Sequence, residues 1–418
     1  MSRLRLAAVA VALSAALLSG ARARAQSPGD APADAGSDGD DGADASTSTD
    51  LVHDVHGRIK LEAGTEYDSN IHRLELPEGT DAEVVAAPLL RAAARAQTAA
   101  RVRRRGQLRL AGVVGGKLFL TDAGRSENVG IVSVDGRFQH TLPGRSAMLS
   151  VRGAGYDSFN LDPSSNSGAE AGRNFAIATG ELGATVLGPK HHRLTLTAGY
   201  RDFTYKPDHD FDWDGDHYGL RYRTALWRGD PDRDLDAASI EVDVGYEVGR
   251  RHYAGRAFTS NCPEGMDPDP MCIVPTGLDR IDLVHTARAE VLYTGDRVWT
   301  GAYELSLVDS NSFGQSLVRH RIDLGVTTKT WAEVFLTARA TVIVSSFLDP
   351  LLLARDVQSQ TFISIDDENR NALSVHLARD LGASWTIEAR YAIFTNEFAT
   401  KALSFRRQIG YVGMTHAL

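Results

Sequence analysis

The chain has 418 residues, 43% of them hydrophobic, and a formal net charge of −9. After an apolar stretch near the start it contains no apolar run long enough to cross a membrane as a helix, which excludes a helical membrane protein. The mean hydropathy of −0.22 does not exclude a membrane barrel, because a barrel strand shows lipid only every second residue.

Residues 1–25 read as a secretory signal peptide. Arg3 and Arg5 form a basic start, Leu6 to Leu18 an apolar run, and Ala23-Arg24-Ala25 a small-x-small cleavage pattern, with the cut expected after Ala25. Residues 26–55 read as a disordered acidic periplasmic leader. Asp30, Asp34, Asp38, Asp40, Asp41, Asp44 and Asp50 stand among Ala, Gly, Ser and Thr, with no Lys or Arg. Such a segment cannot bury enough surface to offset its ordering entropy. The leader and several acidic loops account for much of the negative charge.

From residue 56 to 418 the sequence alternates. Ile59, Leu61, Ala63, Thr65 and Tyr67 share one face of a strand, with Arg58, Lys60, Glu62 and Glu66 on the other. Asp68-Ser69-Asn70 ends it. Leu89–Val102, Ala-rich and compatible with a helix on its own, reads as a strand in company with its neighbours. Further strands follow: Leu108 to Val114 against Arg109, then Val132, Val134 and Phe138 against Asp135, Arg137 and Gln139. Strands near 147–156, 175–187 and 193–205 lead to Tyr218, Leu220, Tyr222, Thr224 and Leu226 against Arg221 and Arg223. Ile240, Val242, Val244, Tyr246 and Val248 oppose Glu241, Asp243 and Glu247. Strands near 281–293, 298–308, 318–326, 332–347, 371–378, 385–393 and 404–418 complete the set. The pattern predicts an all-β, antiparallel, up-and-down transmembrane barrel of about 16 strands, within roughly 14–18.

Connections alternate between short turns on one side and longer loops on the other, as periplasmic turns and external loops do in outer-membrane barrels. Trp227, Trp299, Trp331 and Trp385 fall beside the short turns, and Tyr67, Tyr200, Tyr218 and Tyr391 nearer the long loops. Two aromatic belts match two headgroup interfaces. Cys262 and Cys272 sit in one long loop and read as a disulfide in an oxidising compartment.

The chain thus resembles a Gram-negative outer-membrane β-barrel of the porin-like kind. Gly64-Thr-Glu-Tyr67-Asp-Ser-Asn70 is similar to the openings of many such barrels, including the barrel half of surface lipoprotein assembly modifiers. The resemblance implies outer-membrane lipid and the barrel-assembly machinery as partners. Many of these barrels end in an aromatic residue, whereas this chain ends in Leu418, with Tyr411 further back.

The face assigned to the lumen carries more Arg and Lys than Asp and Glu, which predicts attraction for anions. Pairing of these charges across strands is the competing reading. Arg221, Arg223, Arg319, Arg321, Asp323, Glu62 and Glu66 are the candidate lumen-lining residues, with Arg319, Arg321 and Asp323 foremost for a constriction. Asp210, Asp212 and Asp214, followed by Gly215 and Asp216, mimic the opening half of a calcium loop in an external loop, though Arg221 stands where a bidentate Glu is expected. Asp230, Asp232, Asp234 and Asp236 form a second acidic turn. Arg101 to Arg105 end a strand and do not indicate nucleic acid; Gly112 to Lys117 lack the Ser/Thr of a phosphate loop. No nucleophile motif and no catalytic residue stand out. The expected function is a non-enzymatic channel for small polar or anionic solutes. A secretion or assembly barrel that binds a protein through its loops or leader, and a barrel hydrolase, are the alternatives.

Overall fold

A computed structural model describes residues 52–72, 76–77, 84–144, 146–161, 174–229, 238–263, 270–349, 371–395, 403–404 and 406–418. The expected signal peptide, the leader up to residue 51 and the acidic turn at Asp230–Asp236 lie outside the described residues. Sixteen antiparallel strands close into one barrel. They are β1 (Val52–Asp68), β2 (Ala87–Val102), β3 (Gly106–Phe119), β4 (Val129–Thr141), β5 (Ala147–Asn160), β6 (Phe175–Leu187), β7 (Arg193–Tyr205) and β8 (Trp213–Arg228). The second half comprises β9 (Ser239–Ser260), β10 (Ile273–Thr294), β11 (Arg297–Ser310), β12 (Leu317–Lys329), β13 (Val334–Phe347), β14 (Asn371–Asp380), β15 (Trp385–Thr395) and β16 (Arg406–Ala417). Each strand pairs with its sequence neighbours, and β1 closes the ring on β16. Outside the barrel, Leu76–Pro77 pairs with Leu403–Ser404, joining the first and last long loops.

Closure leaves no open edge, the condition for a sheet in lipid. The seam runs from Lys60 opposite Ala417 to Asp68 opposite Ile409. At its centre the Tyr411 ring lies flat on the wall, over positions where only glycine leaves room. A Cβ on Gly64 would meet the ring at 2.6 Å and the Val412 carbonyl at 2.5 Å. Gly413 faces the same ring from its own strand.

The alternation predicted from sequence sorts the two faces. Leu61, Tyr67, Leu182, Leu196, Leu220, Leu324, Leu373 and Val412 stand on the outside, all well exposed. So do the eight aromatics of the two belts: Trp227, Trp299, Trp331, Trp385, Tyr67, Tyr200, Tyr218 and Tyr391. An apolar surface of this extent on every side is unsuited to water and suits a bilayer. The chain is a closed, sixteen-stranded barrel of the membrane-spanning kind.

Four details differ from the sequence-based expectation. The first strand begins at Val52, inside the expected leader, because a bulge between His53 and His56 absorbs the break in alternation. In β8 the register shifts where Ile240 faces Trp227 and Glu241 faces Ala225. This bulge resets the alternation, so Thr224, expected on the face of Tyr222 and Leu226, is buried, while Trp227 reaches the exterior as its belt position requires. Third, the cysteine loop is mostly strand. β9 and β10 are 22 residues each, and their hairpin continues past two register shifts around Arg256. A membrane crossing needs about 9–11 residues, so half of this hairpin stands clear of the bilayer. Cys262 and Cys272 are disulfide-bonded at its tip. Fourth, the candidate calcium loop is not formed, as described with the lumen below.

Candidate functional site in the barrel lumen

Residues of fifteen of the sixteen strands, all but β3, line a central cavity of about 1890 Å³. Its lining carries 15 basic side chains against 11 acidic ones. The sheet sets their spacing: every second residue of a strand points in, and neighbouring strands place these residues side by side.

Of the predicted lining residues, Glu62, Glu66, Arg221, Arg319, Arg321 and Asp323 border the cavity and Arg223 does not, and each of the seven has a partner. Arg221 on β8 holds Asp243 of β9, its Nε donating to both carboxylate oxygens at 2.7 and 2.8 Å. Arg223, one step nearer the short turns, donates to Glu241 at 2.6 Å. Arg321 and Asp323 pair along β12 at 2.8 Å, with the Thr341 hydroxyl donating to Asp323 at 2.7 Å. Arg319 is buried and donates to the Ser345 hydroxyl at 3.0 Å. Arg319, Arg321 and Asp323 therefore line the cavity as a braced part of the wall.

Glu62 and Glu66 do not stand free in the lumen either. Arg91 on β2 lies 3.0 Å from Glu62 and 3.5 Å from Glu66, and all three are buried. Lys117 on β3 donates to Glu66 at 2.6 Å, while Arg390 on β15 approaches Glu62 at 3.4 Å. The guanidiniums of Arg91 and Arg390 lie over the Tyr411 ring, 5.1 and 4.9 Å from its centroid. Glu388 completes the group, accepting from Arg390 and from Thr415. This network spans the β15–β16–β1–β2–β3 arc and clamps the seam.

Toward the long-loop end apolar rings join the inner face, with the buried pairs Arg280–Asp282 and Arg407–Asp68 at the same end. Tyr156, Phe175, Phe203, Trp213 and Tyr253 stack in series across β5 to β9, with ring centroids 4.9, 5.6, 5.6 and 6.5 Å apart. Val284, Val308 and Leu317 continue this collar on β10 to β12, and Phe394 and Ile409 on β15 and β16. Leu89 and Phe119 continue it on β2 and β3. The collar lies at the outer end of the cavity, where Trp213, Val284, Val308, Leu317, Phe394 and Ile409 are among its lining.

The four aspartates of the candidate calcium loop do not converge. Asp210 lies in a short 3-10 turn, Asp212 accepts from the Tyr205 amide and pairs with His209, and β8 begins at Trp213. Once in the strand, Asp214 and Asp216 alternate with Trp213, Gly215 and His217; Asp214 takes the Tyr200 hydroxyl. Strand formation replaces the loop that calcium coordination requires. Among the described residues no group of three or more His, Cys, Asp or Glu is placed to hold a metal ion.

Several lumen residues escaped the sequence reading: Arg152, Glu181 and Arg201 line the cavity. Their strands read as alternating, but Gly and Ala around Arg152 and Glu181 blurred the face assignment. The alternation signal could have found them once the strand borders were known.

No family model and no curated protein matches the chain. Similar solved structures include OmpT, an outer membrane protein of Vibrio cholerae (12% identity, 88% of this chain and 100% of that chain, TM-score 0.38). They also include a BenF-like porin from Pseudomonas fluorescens (8% identity, 88% and 100%, TM-score 0.44). A third is OmpF of Salmonella typhi in complex with daunomycin (9% identity, 87% and 97%, TM-score 0.43). The barrel assignment rests on this chain's own closure and exterior.

Proposed function

We propose that the chain is a passive channel of the outer membrane for small polar solutes, with a preference for anions. The observation that carries this reading is the lining of the cavity: charged and in basic excess among the described residues. A barrel that served only as an anchor gains nothing from such a lumen, because buried charge is costly unless paired or solvated. Arg58, Arg137 and Arg339 line the cavity without an ion pair to any described carboxylate, so their field acts on the solution in the lumen. The apolar collar limits the passage to small solutes.

Liposome swelling tests this with the purified barrel. Small neutral polar solutes and small anions should enter reconstituted vesicles, anions faster than cations of matched size. Vesicles that do not swell in any solute, or that admit cations faster, contradict the reading.

A further inference from the structure

The pairing register brings three arginines into one row. Arg109 on β3 is directly opposite Arg137 on β4, and Arg137 is directly opposite Arg152 on β5. All three belong to the inward set, alternating with the outward Leu108, Leu110, Phe138 and Val151. Directly opposed residues hold their Cβ atoms about 4.5–5.5 Å apart, and like charges so placed are destabilising.

Only one end of the row is paired in direct contact, although the Glu181 carboxylate also acts on Arg137 at longer range. Arg152 donates to Asp135 at 2.7 and 2.8 Å and has Glu181 opposite it on β6. Arg109 and Arg137 make no ion pair with any described residue. With the Gln139 amide turned to satisfy both groups, its oxygen accepts from Arg137 at 3.1 and 3.2 Å. A neutral carbonyl orients a guanidinium without cancelling its charge. Gln139 in turn faces Gln107 across the β3–β4 pair, so neutral donors border the arginines on one side. Elsewhere on this wall Arg221, Arg223 and Arg321 each carry a carboxylate of their own. The row lies near the short-turn mouth, three residues from the start of β3, and Arg137 and Arg152 open onto the cavity.

We infer that the Arg109–Arg137–Arg152 row is a binding site for a multivalent oxyanion, whose charge replaces the missing carboxylates and bridges neighbouring guanidiniums. Planar guanidinium forks suit paired oxygens, so phosphate and short dicarboxylates share the chemistry required. The site deepens the channel reading and rests on a lumen open to solute, but occupancy does not itself require passage.

Calorimetric titration of the folded, detergent-solubilised barrel tests it, with inorganic phosphate, succinate and acetate in parallel arms in chloride buffer. Phosphate or succinate should bind saturably and acetate at least tenfold more weakly; the tighter of the two names the class. Arg137→Gln and Arg109→Gln should weaken binding at least tenfold. Arg339→Gln should not, because Arg339 faces Gly325 and Ser374 and has no arginine opposite it. The heat-unfolding temperature read on gels gives a second measure. Without oxyanion, Arg137→Gln should match or exceed the parent, since the change removes repulsion; a bracing arginine would give a fall. The site is overturned if no divalent anion binds, if Arg137→Gln and Arg339→Gln behave alike, or if Arg137→Gln lowers the unfolding temperature in its absence. A barrel that binds phosphate but does not conduct refutes the channel alone. One that conducts and ignores both divalent anions refutes this site alone.

Discussion

Glu62 and Arg91 show how much of the lumen wall is structural. Both side chains are almost wholly buried, and Glu66 and Lys117 share their network. Removing one partner of a buried pair costs about 3–5 kcal/mol. Glu66 still reaches Arg91 at 3.5 Å, so Glu62→Gln should cost about 3 kcal/mol, the low end of that range. Urea unfolding followed by tryptophan fluorescence would measure it. The inward direction of Glu62, Glu66, Arg319 and Arg321 was legible from alternation alone. Their partners were not, because cross-strand register depends on bulges and exact strand ends that alternation does not reveal.

Asp68 ends β1 just beyond Tyr67, on the long-loop side of the aromatic belt. Burial raises its carboxyl, but hydrogen bonds and charge from Arg407, with the Asn70 amide, outweigh it and hold the group below the usual carboxylate range. A carboxylate whose folded value is depressed stabilises the fold above the unfolded value of about 3.9. That contribution is lost as pH falls through the depressed folded value. Acid below about pH 4 should therefore loosen the long-loop end of the β1–β16 seam. Asp68→Asn should be less stable at neutral pH and should lose that part of the acid dependence. Proteolysis of the first long loop across a pH series would show both effects; an unchanged acid profile in Asp68→Asn would contradict the assignment.

At the scale of elements, the long β9–β10 hairpin and the seam are where sequence and structure part most. Gly249, Arg250, Arg251 and Gly255 break the alternation, so the sequence shows a loop where the chain pairs through two irregularities. The disulfide itself was readable from two cysteines in an exported context, and the structure places it at the hairpin tip. Because half of the hairpin stands outside the membrane, the Cys262→Ser/Cys272→Ser double variant should leave the barrel's unfolding temperature unchanged and speed cleavage at the tip in limited proteolysis. The seam depends instead on close approach. Gly64→Ala places a Cβ 2.5 Å from a backbone carbonyl and 2.6 Å from Tyr411. Overpacking of this kind costs about 1–3 kcal/mol, and it should slow formation of the fast-migrating folded band on gels.

Over the whole molecule, strand number, closure and both aromatic belts followed from the sequence, because period-two alternation and turn lengths are local signals. The calcium motif failed for the same reason in reverse: Asp214 and Asp216 obey the strand, whose alternation outweighs a loop-like spelling. What remained hidden is radial. A strand read alone does not show that apolar rings join its inner face near the long loops, nor that three arginines share one level. The resulting picture is a lipid-facing shell, a clamped seam, a charged midsection with excess basic groups, and an apolar collar.

Single-channel recording in planar bilayers under a potassium chloride gradient tests the central claim most directly, that the lumen is an aqueous path biased toward anions. Discrete conductance steps should appear, with a reversal potential on the chloride side of zero. A correctly folded barrel that inserts and never conducts, or that reverses on the potassium side, would contradict it.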